Sequence, residues 1–189
     1  MSLQQQQNFL ARLYTDAEFR RAFLSAPEKI GAENSLDKKE ITEIAEILPE
    51  ELNFFADSLF WKRLREVEKL LPLTKMILQN DFEVLFRAFS TTYNPQNVKK
   101  HLEDSFEFCN FIQKNSLIRV AKSVAKFERA RLIFNTEQKK IIFEHFDFDM
   151  KAILNDISKN PDQLNLVLNK KKTFVIWLRI GKNRKQFIW

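Results

Sequence analysis

Glycine is almost absent from this chain, with 2 in 189 residues. That scarcity excludes a glycine-rich phosphate cradle, which needs several glycines within a few positions. It also leaves little provision for sharp loops and suits helices joined by short turns. Cys109 is the only cysteine, so no internal disulfide can form, and a reducing, cytoplasmic setting fits. The two histidines, His101 and His145, fall in different expected elements. Neither has a Cys or a second His at ligand spacing, so no metal and no cofactor is expected. No run is apolar for long enough to span a bilayer. The opening Met1-Ser2-Leu3-Gln4-Gln5-Gln6-Gln7 has neither the positive charge nor the apolar stretch of a signal peptide, so no membrane association is expected.

What the chain does have is 44% hydrophobic residues, including 19 Phe, and 30% charged residues. That apolar share excludes general disorder and is enough for a full core. The net charge of +6 favours acidic partners, although the 25 acidic residues make the surface mixed rather than polycationic.

Helical spacing dominates as far as Phe134. Phe9, Leu10, Leu13, Phe19, Phe23 and Leu24 recur at mostly helical intervals, with Asp16 placed to cap a second short helix. Pro27 suits a first turn, and Gly31 or Asn34 ends it. Asp37-Lys38-Lys39-Glu40 matches a capping box. Pro49-Glu50-Glu51 opens a long helix carrying Leu52, Phe55, Leu59, Leu64, Val67 and Leu71, which Pro72 breaks or kinks. Phe82, Leu85, Phe86 and Phe89 face inward on the next, which ends at Asn94-Pro95. Val98, Leu102, Phe106 and Cys109 lie on another. Ser116 caps the last long helix.

The period then changes. Ile142, Phe146 and Phe148 alternate with Phe143, His145 and Asp147, as in a strand. The stretch 150–157 is helical again, and Asn160-Pro161-Asp162 is a turn. Phe174, Ile176, Leu178 and Ile180 alternate with Val175, Trp177 and Arg179. Gly181 then turns the chain back through Gln186-Phe187-Ile188. This predicts a hairpin, to which the strand around Phe146 adds, since an isolated hairpin is marginal. The expected fold is mainly α, a multi-helical bundle with a small C-terminal antiparallel β element. Its organisation is an N-terminal helical unit over 1–75 and a helical domain with the hairpin over 76–189, packed as one globule or as two.

No catalytic set emerges. Cys109 sits among Phe106, Phe108 and Ile112 as inert filler. Glu144, His145, Asp147 and Asp149 form the densest ligand-like group, read as the polar outer face of a strand. Glu103-Asp104 and Glu50-Glu51 read as solvated helix faces. Glu128 and Arg131, three apart, are placed to pair, structurally or as an anchor for a partner's charge. Two basic features remain. Arg119, Lys122, Lys126 and Arg129 share one helix face, with Leu117, Val120, Val124 and Leu132 largely on the other side. That stripe suits phosphates or plain solvent. Lys170, Lys171, Lys172, Arg179, Lys182, Arg184 and Lys185 interleave with Trp177, Phe187 and Trp189, and no acid follows Asp162. This patch suits nucleic acid, an acidic peptide added at a sheet edge, or a hairpin packed on the helices with lysines guarding its edge.

Two stretches also resemble known families. Leu10-Ala11-Arg12-Leu13-Tyr14-Thr15-Asp16-Ala17-Glu18-Phe19-Arg20-Arg21-Ala22-Phe23-Leu24, then Pro27-Glu28-Lys29-Ile30-Gly31, is loosely similar to the small-subunit fold of some ring-opening dioxygenases and to certain peptide-precursor leaders. Arg65-Glu66-Val67-Glu68-Lys69-Leu70-Leu71-Pro72-Leu73-Thr74, with 82–89, Phe127-Glu128-Arg129-Ala130-Arg131-Leu132 and Val175-Ile176-Trp177-Leu178-Arg179, resembles the DNA-binding-domain family of partner proteins found beside multinuclear non-haem iron oxygenases in bacterial peptide biosynthesis. The second resemblance covers most of the chain. It implies a protein that binds a ribosomally made precursor peptide and presents it to the iron-dependent oxygenase. The dioxygenase likeness implies no dioxygenase chemistry, because the iron ligands are missing here.

The expectation is therefore a non-catalytic adaptor for a peptide or protein, with Trp177, Arg179, Arg184 and Trp189 as contacts. Aromatics supply area and arginines pair with carboxylates. The alternative is a nucleic-acid-binding regulator using Arg119, Lys122, Lys126 and Arg129 together with the basic hairpin.

Overall fold

The computed structural model describes residues 3–95, 98–137, 139–159 and 170–189. The expected turn at Asn160-Pro161-Asp162 lies outside them. The fold is mainly α with a small three-stranded antiparallel sheet near the C-terminus. The chain divides into two compact units, Met1–Leu64 with Ser90–Asn94, and Arg65–Phe89 with Pro95–Trp189.

The first unit holds α1 (Leu3–Thr15), α2 (Ala17–Ser25), α3 (Pro27–Glu33), α4 (Lys38–Ala45) and the start of α5 (Pro49–Leu70). Its boundaries are written in capping residues. The carboxylate of Asp16 accepts the amides of Glu18 and Phe19 at 3.0 and 2.9 Å. Pro27 takes the first turn of α3. Asp37 and Glu40 form a reciprocal capping box, each bond 2.9 Å. Phe9, Leu13, Phe19, Phe23, Leu36, Ile41, Ile44 and Leu52 make the core, with Phe9 edge-on to both Phe19 and Phe23. Arg63 donates to the carbonyl of Tyr93, which ties 90–94 to this unit.

The second unit continues α5 to Leu70. Pro72 then starts α6 (Pro72–Leu78), followed by α7 (Asn80–Thr92), whose residues 90–92 fall in the first unit, α8 (Lys100–Asn115), α9 (Arg119–Thr136), β1 (Ile141–Phe146), α10 (Met150–Lys159), β2 (Thr173–Ile180) and β3 (Asn183–Ile188). Phe108 is ringed by Phe82, Phe86 and Phe89 at 5.1–5.4 Å. Val98 and Leu117, expected on inner helix faces, are instead exposed. They precede the first helical residues of α8 and α9, so helical spacing does not govern where they point. The buried face of α8 is Asp104, Ser105, Phe108, Cys109 and Ile112, which leaves Leu102 and Phe106 half-buried.

In the sheet β2 is central, antiparallel to both neighbours, with Phe143 opposite Ile176 and Ile176 opposite Phe187. Gly181 makes the β2–β3 turn at φ +60, a left-handed conformation that glycine adopts without strain. One core joins Val120, Val124, Phe127 and Phe134 of α9, Met150, Ile153 and Ile157 of α10, and Phe146, Val175 and Trp177 of the sheet.

Glu128 locks α9 to α6. It is fully buried and accepts the amides of Leu73 and Thr74 at 3.1 and 2.8 Å, serving the start of α6 as a cap from 54 residues away along the chain. Arg131 pairs with it at 3.1 Å. This pair is structural.

Candidate functional site

Alternation along β2 puts Thr173, Val175 and Trp177 on the helix side, where they are buried. Of the four residues expected to contact a partner, three lie on that inner side. Trp177 is 2% exposed, with its ring 5.3 Å from Phe127 and Nε1 donating to Gln186 Oε1 at 2.8 Å. Its area is already used within the fold, so it is no surface contact. Arg179 donates Nη2 to the carbonyl of Phe134 at 2.6 Å and lies over that ring. Arg184 donates to Asn135 Oδ1 at 3.1 Å. Both reach the last turn of α9, where Arg179 satisfies a backbone carbonyl and the helix dipole favours cations. Arg179 is thereby engaged within the fold, whereas Arg184 stays exposed.

The opposite side of the sheet carries Trp189 and Phe187, both of the expected aromatic patch, with further residues that the sequence did not single out. Ile141 and Phe143 of β1, Phe174, Ile176, Leu178 and Ile180 of β2, and Phe187 of β3 share this face. Trp189 joins them through reciprocal backbone bonds with Phe174 at 2.9 and 3.1 Å. Phe143 stacks on Phe174 at 5.8 Å. Ile141, Phe143, Ile180, Phe187 and Trp189 are 47–59% exposed. His145 and Lys185 are the charged or titratable side chains that the register places on the same face. A signal for it was present: β2 reads Thr-Phe-Val-Ile-Trp-Leu-Arg-Ile, apolar at both parities, which is the pattern of a strand covered on both sides. Among the described residues of this unit, helices cover one side only.

The basic stripe of α9 is divided among different surroundings. Lys126 pairs with Glu144 at 2.8 Å and donates to the carbonyl of His145 at 2.9 Å, covering the outer edge of β1. Arg129 is half-buried, its Nε enclosed. Arg119 and Lys122 instead meet Lys170 and Lys172 around a concavity of about 610 Å³, completed by Ser123, Asp147 and Phe148. Among the described residues, none of these four cations has a carboxylate in ion-pair range. Lys171, between the two lysines, is held by Asp149 at 3.3 Å. The Thr173 hydroxyl donates to the carbonyl of Phe148 at 2.8 Å, which anchors the start of β2.

The ligand-like group of the sequence is pulled apart, since Glu144 goes to Lys126 and Asp149 caps α10 through the amide of Ala152. That amide, followed by Lys171, lowers the Asp149 carboxyl below its usual range. Among the described residues no three His, Cys, Asp or Glu side chains gather as metal ligands. Cys109 is fully buried, and burial pushes its thiol far up. No described helix is long and apolar enough to cross a membrane. No family model and no curated protein matches the chain.

Proposed function

We propose that this protein is a non-catalytic adaptor that captures a protein or peptide on the outer face of its C-terminal sheet. One observation carries the reading: eight large apolar side chains, Ile141, Phe143, Phe174, Ile176, Leu178, Ile180, Phe187 and Trp189, form a contiguous face that the described helices of its own unit leave open. Patches of this kind mark interaction surfaces. The mixture of aliphatic and aromatic groups favours a polypeptide, since a nucleic acid brings bases to stack on aromatics but no aliphatic groups to bury. The resemblance to partner proteins of non-haem iron oxygenases adds a ribosomally made precursor peptide, and the oxygenase itself, to the partners worth trying.

The test is capture from nuclease-treated native extract by the wild-type chain and by a Phe143→Ser/Phe187→Ser/Trp189→Ser variant, read by mass spectrometry. We expect one protein or peptide held by the wild type and lost from the variant, with matching circular dichroism. Equal recovery on both would refute the face as the site. Recovery of nuclease-sensitive material alone would transfer the reading to nucleic acid.

A further inference from the structure

The apolar face has a limit that the neighbouring charge resolves. Fully burying a large apolar side chain is favourable in proportion to the area removed from water. Five side chains already about half covered would gain about half of that each. The sum is comparable to what association itself costs in lost freedom of motion. A useful affinity and a choice of partner therefore require a second contribution. It lies at one end of the sheet. His145, Phe174 and Trp189 form the last row of the outer face. One residue beyond Phe146 is Asp147, and one residue before Thr173 is Lys172. Both line the concavity with Arg119, Lys122 and Lys170. Four cations against a single carboxylate are drawn from α9 and from the lead into β2, the latter segment being anchored by the Thr173 and Asp149 contacts on either side of Lys172.

We infer that the partner segment is an acidic–apolar peptide: its apolar residues lie on the outer sheet face and an adjoining block of Asp or Glu enters the concavity of Arg119, Lys122, Lys170 and Lys172. This deepens the adaptor reading and rests on it. The charge sets selectivity and association rate, and the sheet face supplies the buried area. A single polypeptide brings both kinds of group, which a nucleic acid does not.

The experiment is selection of a random peptide display library on the immobilised full chain, with oligo-thymidine binding and sedimentation of the free protein measured alongside. Peptides with an apolar stretch beside an acidic block should be enriched. A synthetic copy of the best of them should bind roughly tenfold or more weaker to an Arg119→Gln/Lys170→Gln/Lys172→Gln variant, with a flatter dependence on salt. Enrichment of apolar peptides without acids, lost on Trp189→Ser, would overturn the acidic inference while leaving the adaptor reading standing. No enrichment at all would sink both. Oligo-thymidine that binds the concavity and is not displaced by the peptide would overturn it in favour of nucleic acid. A dimer that Trp189→Ser dissociates would overturn it in favour of a second copy of this chain.

Discussion

Replacing Glu128 with alanine tests whether one buried carboxylate holds α6 and α9 together. The side chain accepts two backbone amides, Leu73 and Thr74, and one guanidinium, Arg131. Alanine leaves two amide donors at the start of α6 without their acceptor. Hydrogen bonds to a charged group are worth about 1.5–3 kcal/mol each, and a buried donor left without its acceptor bears its full desolvation cost. We expect a loss of about 3–5 kcal/mol, a large share of the ~5–15 kcal/mol that stabilises a typical domain. Arg131→Ala should lose only about 1 kcal/mol, because that side chain is 34% exposed and solvent weakens the pair. Urea denaturation read by tryptophan fluorescence in a Trp61→Phe/Trp189→Phe background isolates the buried Trp177, which reports on this unit. A loss below about 1 kcal/mol for Glu128→Ala, or equal losses for the two variants, would refute the capping role. The pH dependence gives a second check. Burial raises the Glu128 carboxyl above its ordinary range, while the amides of Thr74 and Leu73 and the charge of Arg131 pull the other way. With the folded value the higher, the unfolded chain ionises first as pH rises. The Glu128 contribution to stability therefore falls from the ordinary carboxylate range (about 4.3) up to the raised value and is flat above it. Glu128→Gln, which keeps one acceptor oxygen, should lack this fall.

Three further outcomes are expected. Trp177→Ala should lose roughly 3–5 kcal/mol in the same denaturation assay, whereas Trp189→Ser should stay within about 0.5 kcal/mol; similar losses would contradict the assignment of sheet faces. Cys109 should react with a thiol reagent only after unfolding, because it is fully buried and its thiolate is disfavoured; prompt labelling of the native protein would contradict that burial. Gly31→Ala should destabilise the first unit by about 1–3 kcal/mol in thermal melts, since the new methyl would meet Ile41 Cγ1 at 2.5 Å; a rise in melting temperature would mean that the helix-propensity gain of about 1 kcal/mol outweighs the clash.

Local chemistry is legible in the sequence. Asp16, Pro27, the Asp37–Glu40 box and Pro72 mark helix ends because capping and proline geometry act within a few residues, and the structure keeps all four. The change from a 3.6-residue to a 2-residue period after Phe134, and the turn at Gly181, likewise announced the sheet. What alternation could not say is which parity faces the helices, since a strand apolar on both sides reads the same either way up. Tertiary packing decided that Trp177, Arg179 and Arg184 turn inward to α9, and that Phe143, Phe174, Phe187 and Trp189 turn out. It also decided that Glu128 caps α6 across 54 residues, that Lys126 is taken up by Glu144, and that Arg119 and Lys122 meet Lys170 and Lys172. Each of these is a contact between segments far apart in the chain, set by how elements pack, whereas caps, turns and periods are set by neighbours in sequence.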